Sequence, residues 1–253
     1  MIDKEAPLSD EQYAELRERI LALIENECGK NPYHNRPHTE VVERRFLRLA
    51  EEARLSLGET QLGGVMALFH DFGHVGRTIR QETPNITEWK ELSNEEYAAV
   101  KIDEILQHYL SHNNVVATQM GVLGTAFGQT TGKYERPYRP LSAVDALLAF
   151  ADIAGFVEGF DAWIKESLNV YREMPLADLP ETFDGYREAT KGFVGYVRTK
   201  LSAIEPLIGE EAASRYRAQL EQVQTQLMSA ETKARYESEY DALRREAEQK
   251  AGD

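Results

Sequence analysis

Four of the six histidines in the chain fall in two short clusters. His34 and His38 lie in the stretch NPYHNRPHTE, and His70 and His74 lie with Asp71 in the stretch LFHDFGH. Imidazoles and carboxylates together are suitable ligands for zinc, manganese or iron, and for magnesium where more oxygens are supplied. The two clusters therefore indicate either one shared metal site or histidines that core packing and chance have brought near each other.

Two aspartates interrupt apolar segments of the sequence. Asp71 follows the apolar run VMALF, and Asp152 lies within ALLAFADIAGF. A buried carboxylate or imidazole is costly unless it is paired or bound to a metal. A single interior aspartate is explained more simply by a neighbouring arginine or backbone amide. Together with His38 and His70, however, the two aspartates make two imidazoles and two carboxylates, and this combination favours a metal site.

The elements that must position these residues are predicted to be helices. Ser9 begins a capping box with Gln12, which predicts a helix through YAELRERILALIENEC. A second helix is predicted to start near Pro37 and to continue until Gly58, which leaves His34 in the preceding loop. In the next segment His70 and His74 are four residues apart, so they would share one face of a helix.

The rest of the chain also favours helices. Residues 76–93 are polar and lack a steady period, so an irregular segment is predicted there. A helix is predicted again from Ser93 or Asn94, and others after the loop GQTTGKYERPYRP, one of them containing Asp152. No sustained two-residue alternation bounded by hairpin turns is present. The prediction is an all-α fold with few or no strands, and a single domain spanning residues 1–253.

Composition excludes several classes of protein. The net charge of −14 provides no basic footprint for a nucleic acid polymer. No apolar run approaches the roughly 20 residues that span a bilayer, and the beginning of the chain lacks a signal-peptide pattern. Cys28 is the one cysteine, which suits a reducing compartment. We therefore expect a cytoplasmic protein without a membrane partner, in which an anionic substrate would need the positive charge of a metal ion.

The order His … His-Asp … Asp resembles that of the HD-domain metal-dependent phosphohydrolases. YHNRPH is similar to the Tyr-His-Asn-x-x-His signature of cyclic-nucleotide phosphodiesterase catalytic domains, and HDFGHVG to their His-Asp-x-x-His-x-Gly element. SNEEYAAV and FADIAG resemble two further elements of that family, Asn-x-Glu-Leu-Ala and Ala-Asp-Leu. These motifs occur in the family's order and form a motif core over residues 31–160.

The resemblance implies an HD-type helical domain with a metal site at the centre of its bundle. Helices within residues 183–250 would complete the pocket and the surface. The implied ligands of a tightly held first ion are two histidines and two aspartates, His38, His70, Asp71 and Asp152. Asp71 would also reach a second, mostly hydrated ion, and His74 and Glu96 would orient the surrounding waters. His34 would be the general acid that protonates the leaving alkoxide.

The resemblance also suggests residues that contact the substrate. They are Tyr33 and Asn35, beside the general acid, and Phe193 in TKGFVGYV, which is similar to the family's segment Gln-x-Gly-Phe-Ile-x-Tyr-Ile. The family's glutamine reads a nucleobase, but Thr190 occupies that position here. A site built to hydrogen-bond a base loses discrimination without its partner. Purine cyclic nucleotides are therefore not the expected substrates.

These inferences predict a metal-dependent phosphohydrolase that cleaves a phosphodiester or cyclic nucleotide. Two divalent ions (Zn, Mn, Mg or Fe) would neutralise the phosphate and activate a water, and His34 would protonate the leaving oxygen. The expected binding partner is a small-molecule phosphoester. Formation of a homodimer is left open by the sequence.

Three alternatives stay open at this point. One is an HD-type nucleotide phosphohydrolase acting on mono- or triphosphates, with Arg36, Arg77 and Arg80 as phosphate-binding candidates. Another is a di-iron HD-type oxygenase, which would use His108 or His112 as additional ligands. The last is a non-catalytic module that keeps a metal for stability.

Overall fold

The computed structural model describes residues 6–74, 77–83, 86–92, 94–123 and 142–252. Its described residues form ten α-helices, two short 3-10 helices and one two-stranded hairpin. The chain divides into two compact units. The first contains the described residues up to Asp152 except 31–33, and the second contains 31–33 and the residues from Ile153 onward. A single domain spanning residues 1–253 stays a prediction.

The first unit carries most of the predicted site residues. Its helices are α1 (Asp10–Cys28), α2 (Arg36–Glu52), α3 (Leu57–Phe69), α4 (Asn94–Leu106), α5 (His112–Leu123) and α6 (Ala143–Ile153). The last residue of α6, Ile153, already belongs to the second unit. Helix α3 packs against α1, α2 and α5, and α4 packs against α5. The core between these helices is apolar, with the side chains of Leu16, Ile20, Phe46 and Phe69 fully buried.

Two glycines allow α3 to approach its neighbours closely. A Cβ atom at Gly63 would overlap the ring of Phe46 in α2, and one at Gly64 would overlap the hydroxyl of Tyr13 in α1. The larger side chains of α1 and α2 therefore pack directly against the backbone of α3. This packing matters for the site because α2 carries His38 and the end of α3 leads directly into His70.

The start of α1 is as predicted, but the end of α2 is not. The hydroxyl of Ser9 accepts from the backbone N–H of Gln12 at 3.2 Å, which confirms the capping box. Helix α2 was predicted to continue to Gly58, but it ends at Glu52. Ser56 then opens α3 in a second capping box, in which its backbone N–H donates to Glu59 at 2.9 Å. The apolar periodicity of α2 continues in the sequence beyond Glu52, but the Ser-x-x-Glu capping box starts a new helix there.

The prediction of an irregular segment over residues 76–93 was wrong for the described residues 77–83 and 86–92. Strands β1 (Arg77–Thr83) and β2 (Ile86–Leu92) pair antiparallel, from Arg77 opposite Leu92 to Thr83 opposite Ile86. Backbone hydrogen bonds hold such a pair of strands together, and this pairing does not require an apolar face. The segment is mostly polar, so it lacks the alternation of apolar and polar residues that usually predicts strands. The all-α prediction is confirmed for the rest of the described chain, because every other regular element is helical.

All regular elements in the described residues of the second unit are helices. It contains α7 (Phe160–Glu173), α8 (Phe183–Ile208), α9 (Glu210–Leu227) and α10 (Ala230–Gly252), with 3-10 helices at Gly155–Glu158 and Leu176–Asp178. Helix α8 packs against α9 and α10, and α7 also contacts both. The core is rich in aromatic rings, including the buried Phe183, Tyr186 and Tyr240.

The loop GQTTGKYERPYRP and the candidate cap Ser93 lie outside the described residues. None of the helices in the described ranges has both the length and the apolarity required to cross a membrane.

Candidate metal centre

The first turn of α2 places one predicted ligand. Asn35 is the N-cap, and its side-chain oxygen accepts from the backbone N–H of His38 at 3.1 Å. His34 therefore lies in the loop before the helix, as the sequence predicts. One turn beyond His38, Val42 and then Phe46 are fully buried on the same side of α2. Because the imidazole of His38 continues this buried stripe, it too is directed into the first unit and is only 6% exposed.

The end of α3 places the second pair of predicted ligands. The helix ends at Phe69, and His70 and Asp71 begin a tight turn that includes Gly73 at φ 111°. This φ lies in the left-handed region that favours glycine. The prediction that His70 and His74 share a helix face was therefore wrong, because the helix stops before both of them. The turn instead brings the backbone N–H of His74 within 3.3 Å of the Asp71 carbonyl.

The fourth predicted ligand is supplied by α6. This helix is buried along most of its length, from Val144 to Ala151, and Asp152 is its next-to-last residue. The side chains of Asp71 and Asp152 keep exposures of 15% and 16%. The carboxylates are thus largely shielded from bulk water, but they are not closed off from it.

The four predicted ligands converge in the first unit. The Nε2 atom of His38 lies 3.1 Å from Asp71 Oδ2 and 3.6 Å from Asp152 Oδ1. The Nε2 atom of His70 lies 2.8 Å and 3.4 Å from the same two oxygens. One ligand atom from each of the four side chains lies within 4.8 Å of all the others. The structure therefore brings together a set of two nitrogens and two oxygens that could hold a metal ion.

The tautomer of His70 suits a ligand. Its Nδ1 lies 2.7 Å from the carbonyl oxygen of Ala67, and a carbonyl can only accept, so Nδ1 carries the proton. In the neutral ring the lone pair of Nε2 then faces Asp71 Oδ2. Neither atom has a hydrogen-bond partner of acceptable geometry among the described residues, although both are buried. Two electron-rich atoms at this separation need a positive species between or beside them.

The distances also suit a coordination sphere. Bonds of about 2.1 Å separate ligand atoms by about 3.0 Å at a right angle and by about 3.4 Å at the tetrahedral angle. The four nitrogen–oxygen separations, 2.8, 3.1, 3.4 and 3.6 Å, lie near these values. A divalent ion among the four atoms therefore fits without large movement of the side chains. The chemistry of the donor set matches zinc, manganese or iron.

The pKa values of the two histidine ligands, His38 and His70, reflect the negative charge of the neighbouring carboxylates. Burial alone would lower the pKa of His70, but the charges of Asp71 and Asp152 raise it well above its usual value. Burial likewise opposes protonation of His38, yet the approach of Asp152 and Asp71 raises its pKa. The same field that favours a proton on each imidazole would favour a divalent cation in its place.

The carboxylates shift in the opposite direction. Burial would raise the pKa of Asp71, but the imidazoles of His70 and His34 hold it well below its usual range. The pKa of Asp152 is also lowered, because the charge of His70 outweighs the effect of burial. Both groups are therefore anionic at neutral pH, as metal ligands must be.

His34 and His74 form a stacked pair beside this cluster. Their rings are nearly parallel, with an interplanar angle of 8° and centroids 3.3 Å apart. The ring of His34 also lies at 83° to that of His38, with centroids 6.2 Å apart. The Nε2 atom of His74 is 3.4 Å from Asp71 Oδ1. Asp71 thus directs one oxygen to the four-residue cluster and the other towards the stacked pair.

The proposed substrate contacts are not gathered in one described unit. Tyr33 belongs to the second unit, where its backbone N–H donates to Glu173 at 2.6 Å, and Phe193 packs against Tyr196 of α8. Asn35 belongs to the first unit and uses its side-chain oxygen as a helix cap.

The residue at the family's glutamine position makes its own local bond. Thr190 is buried in α8, and its hydroxyl donates to the carbonyl of Tyr186 at 2.7 Å. This bond does not replace the base-reading amide that the resemblance would require.

The other candidates have separate positions. Glu96 lies in the first turns of α4, and its predicted role stays a prediction. His108 and His112 are exposed, at the turn before α5 and at its start, and neither joins the four-residue cluster. Arg36 pairs with Glu18 at 3.1 Å, and the side chains of Arg77 and Arg80 lie outside the described residues.

Sequence reasoning did not connect Cys28 with the site. The thiol lies at the end of α1, where burial raises its pKa, and the backbone amides of Gly73 and His74 approach its sulfur. It therefore packs against the turn that carries Asp71. No short-range pattern in the sequence links these positions, which are more than forty residues apart.

Comparisons with protein-family models, with curated proteins and with solved structures found no match to this chain. The geometry of the described residues therefore carries the functional argument. A mixed imidazole and carboxylate cluster of this kind can hold a Lewis-acidic ion, and the neighbouring imidazole of His34 can donate or accept a proton.

Proposed function

We propose that the protein is a divalent-metal-dependent phosphohydrolase that acts on a small-molecule phosphoester. The observation that carries the proposal is the approach of the Nε2 atoms of His38 and His70 to the same two carboxylate oxygens, with a partly exposed histidine beside them. A structural metal site does not require an additional histidine at its edge. A hydrolase gains from such a group, because a proton delivered to the leaving oxygen speeds the departure of an alcohol.

The ligands have defined tasks in this proposal. His38, from α2, and His70, at the end of α3, would supply neutral nitrogens, and Asp71 and Asp152 would supply the negative charge that holds a cation. The Ala67 carbonyl would keep the His70 ring in the tautomer that leaves Nε2 free of a proton. When bound, a divalent ion would neutralise phosphoryl charge and make water a stronger nucleophile near neutral pH.

His34 would act on the leaving group. Water adds to phosphorus and loses a proton to solvent, the bond from phosphorus to the ester oxygen breaks, and a ring N–H of His34 donates its proton to that oxygen. The alcohol then leaves neutral rather than as an alkoxide, and the ring regains a proton from solvent. The loop position and partial exposure of His34 support this role, because the group must meet both substrate and water.

A phosphodiester is the preferred substrate class, on the resemblance to the phosphodiesterase motifs. A purine cyclic nucleotide is not preferred, because Thr190 binds its own helix backbone and offers no amide. The nucleotidase alternative has less support, since Arg36 is already paired with acidic neighbours. The oxygenase alternative also has less support, because His108 and His112 are exposed and apart from the cluster.

Phosphorus NMR of one pooled reaction tests the proposal. The metal-loaded protein would be incubated with a cyclic nucleotide, a linear diester, a nucleoside monophosphate and a nucleoside triphosphate. Loss of a diester signal, abolished by a chelator and restored by added ion, is the expected result. Loss of a mono- or triphosphate signal alone would favour the nucleotidase. Persistence of all four signals, together with oxygen consumption by the iron-loaded protein, would favour the oxygenase.

A further inference from the structure

The turn after α3 carries a second aromatic group whose role the proposed ligand set does not explain. Asp71 and His74 are three residues apart, and Gly73 at φ 111° allows the chain to reverse between them. The turn therefore delivers a carboxylate and an imidazole to the same side. His74 Nε2 approaches Asp71 Oδ1 at 3.4 Å, so the carboxylate that serves the cluster also borders the His74 ring.

The parallel arrangement of His34 and His74 is unsuited to joint binding of one ion. An imidazole binds a metal through a lone pair that lies in the plane of its ring. Two ring planes only 8° from parallel, with centroids 3.3 Å apart, cannot both contain the same ion. The observed contact is instead the close face-to-face packing of two flat rings, and it restricts how the His34 ring can rotate.

The stacking concerns the orientation of a loop residue. His34 lies in the loop before α2, its side chain is partly exposed, and the stacked ring of His74 is one of the contacts that orient its imidazole. The ring of His38 also contacts His34, edge to face, with the centroids 6.2 Å apart. The ring of His74, with its centroid 3.3 Å away, is much closer to that of His34 than the ring of His38 is.

We propose that His74 is a positioning residue that holds the imidazole of His34, by stacking, in the orientation needed for proton transfer to the leaving group. The proposal deepens the proposed function and rests on it for the proton transfer, but the stacking itself can be tested independently. It differs from the role in ordering water that the family resemblance implies for His74, since a flat ring rather than a ring nitrogen is what matters.

Two substitutions separate stacking from nitrogen chemistry. His74→Ala removes the ring, and His74→Phe keeps a flat ring of similar size without nitrogen atoms. We expect His74→Ala to lower kcat by about 10- to 100-fold with KM within about twofold of the parent, because the acid is misplaced rather than the substrate lost. His74→Phe should recover most of that loss. His112→Ala, at an exposed histidine outside the site, is the matched control and should match the parent.

Metal content and histidine NMR make the result independent of turnover. Bound metal should be equal in the parent and in both His74 variants. The ring protons of His34, assigned with a His34→Gln variant, should be shielded by the stacked ring in zinc-loaded and metal-free protein. That shielding should disappear in His74→Ala and persist in His74→Phe.

Three results would overturn the positioning role: unchanged kcat in His74→Ala, equal losses in both variants, or loss of bound metal in His74→Ala. Unchanged His34 shifts in His74→Ala would overturn it whether or not the parent hydrolyses any ester. A parent that lacks hydrolysis but shows the expected NMR changes would contradict the proposed function while retaining the stacking, so the two failures are distinguishable.

Discussion

Nε2 of His70 lies 2.8 Å from Oδ2 of Asp71, while Nδ1 of the same ring donates to the carbonyl of Ala67. The two contacts use opposite sides of the imidazole. One fixes the tautomer through a backbone acceptor, and the other directs the remaining nitrogen towards a carboxylate. This relationship suits a metal ligand, because the nitrogen that faces the acid is the one that becomes unprotonated when the ring is neutral.

Removing the charge of Asp71 should remove the metal. Asp71→Asn keeps the size of the side chain but loses the negative charge that the cluster directs at a cation. We expect the affinity for a divalent ion to fall by at least about 100-fold. Residues that only support the ligands already contribute about 10- to 100-fold to metal affinity, so loss of a ligand should cost more. Competition with a chromophoric chelator measures this. The matched control is Asp103→Asn, at an exposed aspartate of α4; parental affinity in Asp71→Asn would contradict the ligand assignment.

Metal affinity should rise with pH. The pKa values of His38 and His70 are raised in the metal-free protein, so each ring keeps its proton to a higher pH than usual. Binding must displace those protons, and hydrogen ions therefore compete with the metal below these pKa values. Because the carboxylates have lowered pKa values, they add no competition in this range.

Isothermal titration calorimetry in buffers of different ionisation enthalpy measures the protons released. We expect up to about two protons per ion below both imidazole pKa values, decreasing towards none at higher pH. The apparent affinity should stop rising where the release ends. An affinity that does not change with pH, or that falls as pH rises, would show that the two imidazoles are not the ligands.

His34→Gln should lose turnover and keep its metal. Glutamine retains a polar side chain of similar reach but cannot act as a general acid. We expect kcat to fall by about 10²- to 10⁴-fold for an ester of an alkyl alcohol, since general acid catalysis contributes about that much. The loss should be much smaller for an aryl ester, because an acidic phenol leaves without a proton.

Steady-state kinetics on the two esters, with metal analysis of each sample, measure this difference. His112→Gln is the control for loss of an exposed histidine and should retain parental rates on both. Equal losses on the alkyl and aryl esters would exclude His34 as the acid.

Gly63→Ala should destabilise the first unit. The added methyl group would overlap the ring of Phe46, where α3 and α2 pack together. Overpacking of this kind costs about 1–3 kcal/mol in free energy of unfolding. At Gly195, a helical glycine of α8, a Cβ meets no atom within 4 Å. Gly195→Ala should therefore be neutral or stabilising by up to about 1 kcal/mol.

Urea unfolding followed by circular dichroism measures both changes, and the Gly63→Ala variant should also bind metal more weakly. This second effect is expected because α2 and the end of α3 each carry a ligand of the cluster. A Gly63→Ala protein as stable as the parent would contradict the close approach of the two helices.

Sequence alone predicted most of the local structure near the site. The capping box at Ser9, the loop position of His34 and the helical setting of Asp152 follow from short-range signals: a side-chain cap, a proline in a first turn and apolar periodicity. The choice of His38, His70, Asp71 and Asp152 as one set followed from their chemistry, because buried charged groups require partners. Helical content was predictable for the same reasons.

Tertiary structure decided how those residues meet. The end of α3 before His70, the stacking of His74 on His34 and the division of Asp71 between two groups of histidines depend on the turn at Gly73 and on contacts between segments distant in sequence. The hairpin of β1 and β2 was missed because backbone pairing leaves no apolar pattern in a polar segment. Local signals determine where helices begin, whereas the separation and orientation of ligand atoms arise only when separate elements pack.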